Sequence, residues 1–292
     1  MAKMKNLGSA RTWTQAVWTL LTNSYAYGFV NGVIYDGKLK SVCVPGLNCY
    51  SCPGAWGSCP LGSIQAVIGA RQFNFSFYVF GFLLIVGSVL GRFVCGFLCP
   101  FGFVQDLIYK IPFFKKLRKL PAEKLLRKLK YVLLLLFVLL LPALVLDPFG
   151  QGAPWFCKWI CPSGTLFGGI PLVALNDGLK SAAGWLFAWK VFLLTAILLL
   201  SLAVYRPFCR YLCPLGALYG FLNPISIHRI RVRQDTCTSC KVCQKVCKLD
   251  IPIYENPSSM ECIRCGDCVR ACPHKALHMG FCTKKEDREH AL

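Results

Sequence analysis

Two runs of cysteine toward the carboxy-terminal end are spaced for iron. The first reads Cys237-x2-Cys240-x2-Cys243-x3-Cys247, and the second Cys262-x2-Cys265-x2-Cys268-x3-Cys272-Pro273. Three thiolates at two-residue intervals with a fourth beyond them form the ligand pattern of a 4Fe–4S cluster. In two-cluster arrangements the fourth cysteine of each run ligates the other cluster. One cluster is therefore expected on Cys237, Cys240, Cys243 and Cys272, and a second on Cys262, Cys265, Cys268 and Cys247. Zinc is the competing reading, but it favours paired Cys-x2-Cys units separated by a longer gap. Lys248 stands where a proline usually follows the fourth cysteine, which removes no ligand.

A different pattern fills the rest of the chain. Cys-Pro-x-Gly occurs four times, at Cys59, Cys99, Cys161 and Cys213. Three of these belong to Cys-x3-Cys-Pro: Cys95 with Cys99, Cys157 with Cys161, and Cys209 with Cys213. Positions i and i+4 share a helical face, so each pair is expected to aim two thiolates at one centre. The proline ends the preceding geometry and the glycine permits a sharp turn. Cys95, Cys99, Cys209 and Cys213 together supply the four thiolates of a further cluster. Six more cysteines remain: Cys43, Cys49, Cys52, Cys59, Cys157 and Cys161. Repeat symmetry joins Cys59 to Cys157 and Cys161, with Cys52 or Cys49 as a fourth ligand and the remaining two as a disulfide. The alternative gives the Cys43–Cys59 stretch a cluster of its own and pairs Cys157 with Cys161. Cys282 is left over without a role.

The elements that must position these residues are apolar. Of 292 residues 55% are hydrophobic and only 16% charged, with a mean hydropathy of +0.50. That excludes a disordered chain, a fibrous protein, a soluble hydrolase and a small disulfide scaffold. Four stretches are long enough for membrane spans: Trp13 to Tyr35, Phe73 to Phe93, Tyr131 to Leu146 with its flanks, and Trp185 to Tyr205. Each Cys-Pro-x-Gly follows a span, so spans one and two are read as duplicated in three and four.

The formal charge of +20 suggests nucleic acid at first sight, but the charges fall in a few loops. The loop from Val94 to Lys130 holds nine Lys and Arg and the region after Tyr205 fourteen, against two between Asp147 and Gly184. Positive loops stay in the cytoplasm. Both termini, the middle loop, and the Cys95/Cys99/Cys209/Cys213 site are therefore expected inside an inner membrane, with the other six cysteines outside. Phe113 to Lys130 reads as a basic amphipathic helix lying on anionic lipid, and Lys190 as snorkelling or facing the bundle.

The expected domains are an all-α, four-span membrane unit at 1–228, a small α+β two-cluster ferredoxin at 229–281, and a charged tail at 282–292. No Cys-x-x-Cys-His, Walker loop or dinucleotide fingerprint is present, and the four histidines (His228, His274, His278, His290) all follow the last span. A span-embedded haem with histidine ligands is excluded.

The order of four spans, Cys-x3-Cys-Pro after the second and fourth, and a terminal two-cluster ferredoxin resembles the NapH-type membrane polyferredoxins of periplasmic nitrate reductase systems. It is also similar to the membrane part of NosR-type flavoproteins. The resemblance implies cluster ligation by Cys95, Cys99, Cys209, Cys213 and the eight ferredoxin cysteines. It also implies electron transfer between a membrane or cytoplasmic donor and an extracytoplasmic reductase or flavoprotein. The leading expectation is an electron-transfer subunit, not a stand-alone enzyme. It has the lipid bilayer and redox proteins as partners, and no nucleic acid. The alternatives are a quinone-linked oxidoreductase subunit and a thiol–disulfide or assembly factor cycling the Cys-x3-Cys-Pro pairs.

Overall fold

The computed structural model describes residues 2–70, 76–113, 116–148 and 150–281, with side chains from residue 10 onward. Cys282 and the charged tail lie outside the described residues. The chain is mostly helical. Helix α1 (Ala2–Thr22) is followed by a long connection with two short helical turns, Ala26–Asn31 and Lys38–Ser41, and then α2 (Pro60–Gly69), α3 (Phe77–Leu90) and α4 (Pro100–Lys110). Helix α5 (Glu123–Leu133) runs directly into a π-wound stretch, Leu134–Leu140, and a last turn, Leu141–Leu144. Then come α6 (Pro162–Leu175), α7 (Trp185–Ala203) and α8 (Pro214–Leu222). Among the described residues one helix, α7, is long and apolar enough to cross a membrane, with a mean hydropathy of 2.2 over its best window.

Each of the four Cys-Pro-x-Gly motifs opens a helix. Cys59, Cys99, Cys161 and Cys213 stand just outside α2, α4, α6 and α8 in extended backbone, with the proline in the first turn. Proline costs nothing there because the first N–H groups of a helix have no internal partner. It also forces the residue before it out of the helical region. The paired cysteines therefore do not share one helical face, contrary to the expectation from their spacing. Cys95, Cys157 and Cys209 lie on separate short turns, Phe93–Phe97, Trp155–Trp159 and Phe208–Leu212, and the second cysteine of each pair sits in the break.

The packing repeats. Helix α4 lies against α1 and α7, and α8 lies against α5 and α3. Helices α4 and α8 thus each pack on the first long helix of their own half and the second long helix of the other.

The basic stretch between α4 and α5 also differs from its expected form. Helix begins only at Glu123, because Pro121 cannot sit inside one. Its cations meet protein partners as well as solvent. Arg127 pairs with Glu123 and donates to Leu249 O, Lys119 pairs with Asp250, and fully buried Lys130 pairs with Glu261. Phe114 and Lys115 lie outside the described residues.

After α8 the chain makes an antiparallel pair, β1 (His228–Val232) with β2 (Leu277–Phe281), in which His228 faces Phe281 and Val232 faces Leu277. Two one-turn helices between them, α9 (Val242–Val246) and α10 (Asp267–Ala271), pack on each other and carry Cys243 and Cys268.

Asp106 on α4 ties these parts together. It accepts hydrogen bonds from Arg206 Nε at 2.7 Å, from Gln15 Nε2 at 3.1 Å, and from Arg11. Both arginines are buried, Arg206 almost completely. Removing the carboxylate leaves two buried cations without their counter-charge. The Asp106→Asn variant is expected to lose about 3–5 kcal/mol of stability, read as a lower midpoint of denaturation in detergent.

Candidate functional site

Cys95, Cys99, Cys209 and Cys213 border one cavity, together with the Pro45–Gly46–Leu47 segment, which enters from the long loop between α1 and α2. Three of the four sulfurs have a protein donor. Gly102 N lies 3.4 Å from Cys99 Sγ, Gly216 N lies 3.3 Å from Cys213 Sγ, and Gln105 Nε2 lies 3.2 Å from Cys209 Sγ. The glycine donors are the Cys-Pro-x-Gly glycines, whose free N–H groups in the first helical turn face the capping sulfur. Two arginines strap the halves together reciprocally. Arg92, three residues before Cys95, donates to Cys209 O at 3.3 Å, and Arg206, three before Cys209, donates to Cys95 O.

Each arginine belongs to a network of two cations and one carboxylate: Arg206 and Arg11 with Asp106, and Arg92 and Lys130 with Glu261. Each network is net positive, as suits the neighbourhood of a negatively charged thiolate cluster.

A second cavity, of about 360 Å³, is bordered by Cys49, Cys59, Cys157 and Cys161, with Lys158 and Lys190 on its wall. Its construction repeats the first. Gly164 N lies 3.4 Å from Cys161 Sγ, and Gln65 Nε2 lies 3.3 Å from Cys157 Sγ. The position four residues before Cys59 is Ala55, which has no sulfur, and Cys49 comes in from the loop instead. Cys52 and Cys43 are buried outside this cavity. The Cys52 amide caps Cys49 O, and the Cys43 thiol sits 3.8 Å from Ser63 Oγ. No disulfide joins any described cysteine.

In the carboxy-terminal unit Cys237, Cys240, Cys243 and Cys272 border a third cavity. Cys268 lies within Coulombic reach of Cys262, Cys265 and Cys247. Cys240 is exposed, whereas Cys262 and Cys268 are buried. Lys248 reaches over the Tyr205 ring, 5.1 Å from its centroid, and so links this unit to the helical one.

Three contacts connect the sites in series. Leu47 borders both the Cys95 and the Cys49 cavities. The backbone of Gly96 presses on the ferredoxin segment so closely that a Cβ there would stand 2.5 Å from Ile263 O, which only glycine avoids. Asn223 accepts from Arg92 N at 3.0 Å and donates to Cys262 O at 3.2 Å. Glu261, the neighbour of Cys262, is bound to Arg92 and Lys130. Burial pushes its carboxyl up, but the two cations more than offset this and hold it below the usual carboxylate range.

The donor sets fit polynuclear iron better than zinc. One tetrahedral zinc would gather four sulfurs to about 3.8 Å from one another. A four-iron cluster takes one sulfur per iron and spreads them around a cavity. Gly164 lies beside two of these sulfurs: a Cβ there would stand 3.5 Å from Cys49 Sγ and 3.8 Å from Cys161 Sγ.

Comparison with known proteins agrees with this chemistry. A family described as a 4Fe-4S binding domain matches residues 75–121, 131–173 and 185–233, the three segments that carry Cys-x3-Cys-Pro, and another of the same description matches 258–278. The chain is thus a ferredoxin-type 4Fe–4S electron-transfer protein. It is 32% identical over 213 residues to an uncharacterised protein of Methanocaldococcus jannaschii, covering 70% of this chain and 71% of that one. It is 28% identical to the ferredoxin-type protein NapH of Haemophilus influenzae over 72% of this chain and 70% of that one. It is 29% identical to the putative electron transport protein YccM of Escherichia coli over 65% and 51%. The chain belongs to the NapH-type polyferredoxin family. No solved structure matches it.

Sequence reasoning passed over Gln65, Gln105, Arg92 and Arg206. Their signal is positional. Each glutamine stands six residues after a Cys-Pro-x-Gly cysteine, and each arginine three before a Cys-x3-Cys.

Proposed function

We propose that the chain is a multi-pass protein of the cytoplasmic membrane that carries electrons across the bilayer through four 4Fe–4S clusters. The ligand sets are Cys237/Cys240/Cys243/Cys272, Cys262/Cys265/Cys268/Cys247, Cys95/Cys99/Cys209/Cys213 and Cys49/Cys59/Cys157/Cys161. Electrons enter at the first set, whose Cys240 is exposed to a soluble donor. They then pass the second set to the third through the Gly96–Ile263 contact. The fourth set delivers them to an extracytoplasmic reductase or flavoprotein.

The observation that carries this reading is Leu47. It is 2% exposed and borders both cavities, so the third and fourth sites share a wall at this residue. When bound, the clusters supply the one-electron chemistry. The protein supplies ligands, hydrogen bonds to sulfur, and buried counter-charge. A bilayer location is supported by the uncovered apolar side chains of the long helices, among them Ile85 on α3, Leu135 beyond α5, and Phe192 and Leu199 on α7.

Iron and acid-labile sulfide per chain test the proposal on anaerobically purified protein. About sixteen of each is expected, from four four-iron clusters. About eight of each would leave only the ferredoxin loaded and would sink the conduit.

A second reading, oxidation or reduction of a quinone, is favoured by one feature. A cleft of about 620 Å³ between α1, α4 and the ferredoxin is lined by Trp13, Tyr109, Tyr205 and Arg11. Tyr205 lies within Coulombic reach of Cys265. Failure of a quinol to reduce any cluster in the purified protein would remove it.

A further inference from the structure

We infer that Gln105 and Gln65 set the reduction potentials of the two membrane-unit clusters by donating a hydrogen bond to one ligand sulfur in each. The inference rests on the proposed loading of those sites, and it concerns residues that the cysteine pattern does not mark.

The two side chains are fully buried and make the same contacts in the two halves. Gln105 donates to Phe101 O, one turn back on its own helix, at 3.4 Å. It accepts from Phe208 N at 3.1 Å and reaches Cys209 Sγ with Nε2 at 3.2 Å. Gln65 donates to Leu61 O at 3.1 Å, accepts from Phe156 N at 3.0 Å and reaches Cys157 Sγ with Nε2 at 3.3 Å. In both, the amide oxygen is held by the backbone N–H of the residue before the ligand cysteine. That fixes which end of each amide faces the sulfur, because an N–H can be matched only by an acceptor. The glutamine must therefore present its NH₂, and the sulfur opposite must accept. A thiolate bound to iron accepts that hydrogen strongly, a neutral thiol only weakly.

The bland reading is that a buried glutamine is merely satisfied. The turn carbonyl and the backbone N–H already satisfy one amide hydrogen and the oxygen. The second hydrogen is aimed at sulfur in both halves, although the two sequences around it share little beyond Cys-Pro-x-Gly. A hydrogen bond to a ligating sulfur withdraws electron density and strengthens when the cluster gains an electron. It therefore favours the reduced state and raises the potential. Having one such bond at each site lets the two potentials be set separately along the route.

The test is potentiometric titration followed by electron paramagnetic resonance on the full-length protein. The variants are Gln105→Met, Gln105→Leu, Gln65→Met and Gln65→Leu, with iron counted in each. The signal moved by the Gln105 variants should be the one that disappears in the Cys95→Ala/Cys209→Ala protein. The signal moved by the Gln65 variants should be the one that disappears in Cys49→Ala. Each should shift to lower potential while the other three clusters keep their midpoints and iron content is unchanged. Full iron with unmoved midpoints would overturn the inference. So would loss of iron from both the Met and the Leu variant at a site, since the amide would then be holding the ligand loop and not tuning the cluster. If the wild-type protein itself carries only about eight irons, from two four-iron clusters, the underlying loading is what has failed, and the titration of the variants is not needed to reveal it.

Discussion

Replacing both Cys95 and Cys209 by alanine is expected to stop electron transfer through the helical unit while leaving the ferredoxin clusters spectroscopically intact. The two residues sit on opposite halves of the chain and border the same cavity. Each half keeps its second cysteine, but two thiolates cannot hold a four-iron cluster that needs four. Iron should fall by about four per chain, from about sixteen to about twelve, the loss of one four-iron cluster. The ferredoxin ligands Cys262 and Cys268 belong to a separate unit and should be unaffected. The ferredoxin clusters, reduced by a soluble donor, should then fail to pass electrons to the Cys49/Cys59/Cys157/Cys161 site, which stopped-flow spectroscopy can follow. Transfer at the native rate in the double variant would mean that electrons reach that site by another path, and the order of sites argued above would be wrong.

The second large effect separates Cys49 from its neighbours Cys52 and Cys43. Cys49→Ala is expected to lose about four irons, one cluster, whereas Cys52→Ala and Cys43→Ala keep the full complement. The reason is geometric. Cys49 borders the cavity with Cys59, Cys157 and Cys161, and a Cβ added at Gly164 would stand 3.5 Å from its sulfur. Cys52, although three residues away and fully buried, turns into the interior of the loop, and Cys43 faces Ser63. Truncating either of these removes packing but no ligand. Iron analysis of the three purified variants decides the point. Equal losses from Cys49→Ala and Cys52→Ala would show that the loop rearranges around the metal and that its cavity does not identify the ligands.

Much of the site was legible in the sequence because cluster ligands are covalent in character and local in spacing. The intervals within 237–247 and 262–272 announce iron without any help from the fold. The four Cys-Pro-x-Gly motifs expose the duplication, whereas the helices that open at Pro60, Pro100, Pro162 and Pro214 emerge only in the fold. The spacing of Cys95 and Cys99 was misleading in one respect. An interval of four suggests one helical face, but the proline after the second cysteine breaks the helix there, and the two sulfurs converge across the break. The basic run up to Lys130 misled in another. Charge counts describe a loop's net sign, but not whether Lys119, Arg127 and Lys130 meet lipid or the carboxylates of Asp250, Glu123 and Glu261.

The sequence by itself determined the chemistry: sulfur ligands in iron spacing, an apolar chain, two related halves, and a terminal ferredoxin. These follow from residue type and short-range interval, which no packing can alter. The placing of Cys49 beside Cys59, Cys157 and Cys161, the strapping of each half by the other's arginine, the glutamine amides on the sulfurs, and the meeting of two cavities at Leu47 were decided only by the tertiary structure. Each of these joins residues far apart in the chain, and nothing local in the sequence records which distant backbone a buried side chain will meet.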